Sequence, residues 1–103
     1  MELGVVVIDD RCGPHAVGLL AAARDRGWKT RCFLTDRGVF LLEDESFRAL
    51  LDTGDAHFSI CELSVERYAH DGVSVEGMED QIVVGGQYQN AELVRNCDHV
   101  VVF

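Results

Sequence analysis

The order of apolar and polar positions divides the chain into five short apolar runs separated by stretches that carry a helical stripe. Leu3–Ile8 is a continuous Val/Ile-rich run of the kind buried on both faces of a parallel sheet. After Asp9-Asp10, Gly13 permits a turn and Pro14 suits the first turn of a helix. Ala16, Leu19, Leu20 and Ala23 then form one apolar stripe, and Gly27 marks its stop. Trp28–Thr35 predicts a second strand, followed by the turn Thr35-Asp36-Arg37-Gly38. The next helix is expected to begin early, at Val39–Leu42, with Glu43, Asp44 and Glu45 suited to a helix N-terminus. Phe47, Leu50 and Leu51 supply its stripe and Gly54 its end.

Ala56–Cys61 reads as the third strand and Leu63–His70 as the third helix, with Val65, Tyr68 and Ala69 inward and Gly72 as the stop. Val73–Asp80 has no period and reads as a loop or a short irregular strand. Gln81–Val84 is a fourth strand ending in Gly85-Gly86, and a helix follows from about Gln87 to Asn96. Leu93, Val94 and Cys97 are its expected apolar contacts, and Asp98–Phe103 is the fifth strand. Strands alternate with helices throughout, so each connection has room for a right-handed crossover. The pattern predicts an α/β fold in which residues 1–103 form one domain, a three-layer α/β/α sandwich around a five-stranded parallel sheet.

Composition narrows the function classes. Eighteen acidic against nine basic side chains give a net charge of −9, a field that repels phosphate backbones and disfavours direct nucleic-acid binding. Partners with basic docking surfaces fit better. The longest apolar runs, Val5–Ile8 and Val100–Phe103, are far too short to span a bilayer, and no leader precedes Leu3, so no membrane association and a cytoplasmic location are expected.

The cysteines at 12, 32, 61 and 97 fall on four different elements and form no CxxC pair, which argues against a disulfide framework and a zinc knuckle. Cys12/His15 and Cys97/His99 have metal-like spacing but no further ligands to support them; no metal and no organic cofactor are expected. Cys12-Gly13-Pro14-His15 resembles the thioredoxin CGPC, with histidine in place of the resolving thiol that dithiol exchange needs.

Ligands and catalytic groups of an open parallel sheet gather beyond the carboxyl ends of its strands. That rim is expected to hold Asp9, Asp10, Cys12, Asp36, Arg37, Cys61, Glu62 and Gly85. Cys61 is its best nucleophile, because a strand-to-helix junction offers free N–H groups that favour thiolate over thiol. Ser64 is a candidate donor to the sulfur anion, Cys12 an auxiliary thiol, and Glu62 opposes ionisation unless its carboxylate points away. Dinucleotide, Walker and serine-hydrolase signatures are absent. A phospho-acceptor receiver needs an aspartate after the third strand, where Cys61 stands, and a lysine after the fifth, where the chain stops at Phe103.

The Val/Ile strand, the segment Thr35-Asp36-Arg37-Gly38-Val39, Cys61 followed by Ser64 and Arg67, and the stretch from Ala91-Glu92-Leu93 to Asp98-His99-Val100-Val101-Val102-Phe103 carry a family resemblance over nearly the whole chain. Together they resemble the DsrE/DsrF-like family, which includes the DsrEFH proteins of sulfur oxidation and the TusBCD sulfur relay. The resemblance implies that Cys61 accepts sulfane sulfur as a persulfide and passes it between donor and acceptor proteins. It also implies a homo-oligomer, a trimer or hexamer. The chain departs from the sulfur-relay members in a shorter connection between its second and third strands, which bears on the partner it docks. Two other readings stay open: an oligomeric interaction module in which Cys61 is packed and inert, and a small-molecule-binding domain that uses the rim.

Overall fold

The computed structural model describes residues 1–103. Five strands, β1 (Glu2–Val7), β2 (Lys29–Leu34), β3 (Ala56–Cys61), β4 (Ile82–Gly85) and β5 (His99–Val102), pair in the order β4-β3-β2-β1-β5, every pair parallel. The first four strands step in one direction across the sheet. The chain then returns over the full width to place β5 against β1. A right-handed crossover that reverses direction must change face. Accordingly α1 (Gly13–Asp25) and α2 (Glu45–Thr53) lie on one side of the sheet, and α4 (Gln87–Asn96) lies on the other. The expected α/β sandwich is the fold observed.

The two sides are unequally filled. Leu3, Val5, Val7, Cys32, Leu34, Phe58, Ile60 and Ile82 point to the α1/α2 side, where they join a cluster of 19 buried residues that includes Ala16, Leu20, Phe47 and Leu51. Val6, Phe33 and Cys61 alternate to the opposite side, where the buried cluster has four members and Leu93 is the only one from α4. The molecule's main hydrophobic stabilisation therefore comes from the first face.

Four local expectations are corrected. In place of an early helix at Val39–Leu42, Asp36–Glu43 is a 3-10 segment with Val39, Leu41 and Leu42 all buried. It is wedged among β1, β2, β3 and α2, and so many inward-facing neighbours do not fit one stripe of an α-helix. The acidic cluster behaves as a start signal: Asp44 caps α2, its carboxylate accepting the Phe47 N–H at 3.0 Å.

The third helix, α3, spans only Glu62–Arg67, with a 3-10 turn at Ala69–Asp71, because Tyr68 leaves helical geometry and turns its hydroxyl to the loop after β2. Ser64 is its buried residue, whereas Ala69 is exposed. On α4, Val94 is 56% exposed and Leu93 carries the packing. Residues 73–80 are irregular, but Val73 and Met78 tuck under the larger core. No helix is long and apolar enough to cross a membrane.

Candidate functional site

Cys61 is the last residue of β3 and the N-cap of α3, with extended backbone angles. The register that pairs Leu34 with Ile60 brings Thr35 beside it from β2, and on the other side it pairs with Gly85. The residue is 6% exposed, covered at shallow depth beside Val6, Phe33 and Leu93.

Burial pushes its thiol up, but hydrogen-bonding groups act against this: the Ser64 hydroxyl and N–H, the Thr35 hydroxyl and the Leu63 N–H. Their sum holds Cys61 below the ordinary thiol value. The neutral thiol closes no cap bond with the helix, and a thiolate is the stronger acceptor of such donors. Glu62, the suspected opponent, is exposed. Cys32 and Cys97 go the other way: full burial pushes Cys32 up to about 12, and burial followed by the Glu2 carboxylate raises Cys97.

The donors are themselves held. Ser64 Oγ accepts the Asp36 N–H at 2.8 Å. Asp36 has φ 49°, and its carboxylate accepts the Tyr68 hydroxyl at 2.8 Å and Arg67 Nη1 at 3.4 Å. The Tyr68 ring packs on Phe40 with centroids 5.0 Å apart, and the Arg37 guanidinium lies over Phe40 while its Nε donates to Asp10 at 3.2 Å. The Gly38 N–H donates to the carbonyls of Ile8 and Thr35. A Cβ at Gly38 would stand 2.0 Å from the Val7 carbonyl oxygen, so only glycine brings the loop this close to β1. The loop after β2 is thereby fastened to the end of β1 on one side and to α3 on the other.

Of the residues singled out from the sequence, the structure brings Cys61 and Ser64 together. Cys12 stands apart: it is half-exposed at the start of α1, behind β1, and β1 and β3 are two strand spacings apart, roughly 10 Å. The neighbouring Asp9 is engaged with Arg11, whose side chain holds its carboxyl down at about 2. Thr35 and Tyr68 were not named as site residues. The sequence places Thr35 as the last residue of the second strand; the structure ends β2 at Leu34, and the place of Thr35 beside the sulfur depends on β2 and β3 being neighbours.

The largest cleft, about 570 Å³, runs between Leu51, Phe58, Asp80 and Ile82, and Cys61 lines neither it nor any smaller cleft. No three His, Cys, Asp or Glu side chains converge as a metal site requires. The arrangement can stabilise a sulfur anion at a covered position.

The chain matches no family model and no curated protein. Among solved structures it superposes on the ychN protein from E. coli with a TM-score of 0.75, over 100% of both chains at 17% identity. At that identity the likeness is one of fold, and the two chains share the same architecture from end to end.

Proposed function

We propose that this protein is a sulfur carrier that holds sulfane sulfur as a persulfide on Cys61 and passes it to a partner protein. The observation that carries the reading is the set of donors from Ser64, Thr35 and Leu63 that biases Cys61 toward thiolate at the end of β3. The resemblance in Thr35–Val39, Cys61, Ser64 and Arg67 supports it. The fold shared with the ychN protein is compatible with it.

In the reaction the Cys61 thiolate attacks the outer sulfur of a donor persulfide, R–S–SH. The new S–S bond forms as the donor's own S–S bond breaks, leaving Cys61–S–SH and the thiolate R–S⁻. An acceptor thiolate then repeats the attack on the outer sulfur and regenerates the Cys61 thiolate. Protons and electrons balance without a metal or organic cofactor. The cover over Cys61 has to open before either partner reacts, and at 6% exposure it is thin enough for that opening to admit a small donor as well as a docked protein. The −9 charge favours partners with basic docking surfaces. A homo-oligomer in a reducing cytoplasm is the setting in which we place it.

The rival reading, a packed and inert cysteine, draws on the 6% exposure of Cys61 and its apolar neighbours. Native protein incubated with a small-molecule persulfide donor and analysed by peptide mass mapping separates the two. The carrier gains one sulfur on the Cys61 peptide, and Cys61→Ser gains none there. Equal gain by both proteins, or labelling of Cys61 only after denaturation, overturns the proposal.

A further inference from the structure

Asp36 is the one residue other than glycine with a positive φ. An L residue holds that conformation only where its surroundings fix it. Two sets of contacts do so here. The carboxylate is gripped from α3 and its C-cap by Arg67 and Tyr68, and the N–H is turned toward the same helix, onto Ser64 Oγ at 2.8 Å. A hydroxyl has one proton and two acceptor sites. With the Asp36 N–H occupying an acceptor site, the serine proton is directed elsewhere, and Cys61 lies one helical turn earlier, at the N-cap of the helix in which Ser64 is the third residue, both of them buried.

We infer that Asp36 is a positioning residue for the Cys61 sulfur: its N–H fixes Ser64 Oγ as an acceptor and thereby aims the serine proton at Sγ. The carboxylate contacts with Tyr68 and Arg67 keep the loop in the conformation that does this. The inference rests on Cys61 being the nucleophile, and it adds a device that sets how readily that nucleophile ionises. The charged and titratable groups around this end of the sheet are Asp9, Asp10, Arg11 and Cys12 after β1, Asp36 and Arg37 after β2, and Glu62, Glu66, Arg67 and Tyr68 on and just after α3.

The test is the pH profile of Cys61 alkylation by iodoacetamide, read by peptide mass mapping in the wild type, Ser64→Ala, Asp36→Gly, Tyr68→Phe and the Asp36→Gly/Ser64→Ala double variant. Asp36→Gly tolerates the positive φ and keeps the N–H but releases the carboxylate contacts. Ser64→Ala raises the alkylation midpoint by about one pH unit, the worth of one hydrogen bond to a charged atom. Asp36→Gly and Tyr68→Phe raise it by a smaller amount. The double variant goes no further than Ser64→Ala alone, because Asp36 acts through the serine.

Loosening of structure alone would speed labelling at every pH without moving the midpoint. Unmoved midpoints in Asp36→Gly and Tyr68→Phe, or additive shifts in the double variant, overturn the inference. Tyr68→Phe, a half-buried position at the edge of the core where the ring itself is kept, keeps the test open if Ser64→Ala does not fold. Shifted midpoints in the variants of a wild type that takes up no sulfur defeat only the carrier reading, whereas sulfur uptake by wild type with unmoved midpoints in the variants defeats only the role of Asp36.

Discussion

Cys61 and Gly85 are partners across the β3–β4 ladder, so on that side the sulfur's neighbour has no side chain. Gln89 fills the space. Its amide lies over Gly85, where a Cβ would stand 2.1 Å from Oε1, and that oxygen accepts the Gly86 N–H at 2.8 Å. This contact closes the opening turn of α4 over the strand next to the candidate nucleophile.

Gly85→Ala displaces Gln89. The amide is the far end of a flexible side chain and swings away, so the cost is the lost cap, about 1 kcal/mol. The urea midpoint falls, and alkylation of Cys61 at neutral pH speeds up as the first turn of α4 frays. An unchanged urea midpoint means that Gln89 does not hold the helix start.

Gly38→Ala is a harsher change with a different partner. The new methyl meets a backbone oxygen, 2.0 Å away on Val7, and neither group can rotate aside. A loss on the order of 3 kcal/mol or more is expected in urea unfolding, at the severe end for single substitutions. A cost under about 1 kcal/mol would show that the loop tolerates lifting off β1.

Cys32 makes the fold sensitive to alkali. In the unfolded chain this thiol titrates near its ordinary 9.0, but in the folded protein only at about 12, so the folded state keeps its proton longer. The stabilisation is whole below pH 9 and drains away as pH climbs from there toward 12, by at most about 1.4 kcal/mol per unit. Cys61 has the opposite sign: its folded value lies below the unfolded one, and it adds stability as pH rises toward 9. Unfolding free energies measured between pH 9 and 11 should fall less steeply in Cys32→Ala than in wild type. Parallel slopes would remove Cys32 from the explanation.

Cys12→Ser should take up sulfane sulfur as the wild type does. Its thiol sits at the start of α1, away from the Ser64–Asp36 contacts. Mass mapping after donor treatment checks this directly, and loss of the persulfide from Cys61 in that variant would give the Cys12-Gly13-Pro14-His15 turn a part in the transfer.

What could be read in advance was whatever depends on local pattern. The limits of β3 at Ala56 and Cys61 and of α4 at Gln87 and Asn96 followed from periodicity and flanking glycines. Cys61 at a strand-to-helix junction with Ser64 in the next turn followed from the same signals.

What depends on neighbours distant in sequence could not be read. The 3-10 path of Asp36–Glu43 is imposed by the strand ends it is wedged among, and the early end of α3 by a hydroxyl that finds a carboxylate 32 residues back. Leu93 and Val94 were equivalent candidates until the sheet chose one of them. Thr35 joins the sulfur only through the order of the strands.

The unequal filling of the two faces has a mechanical outcome. Removing α1 or α2 from the sheet would open a cluster of 19 buried residues, whereas lifting α4 strips packing from Leu93 and from Val6, Phe33 and Cys61 beneath it, a cluster of four. The side of the molecule that shelters Cys61 is thus the side that breathes most readily, and hydrogen exchange along α4 would report how often the sulfur meets solvent.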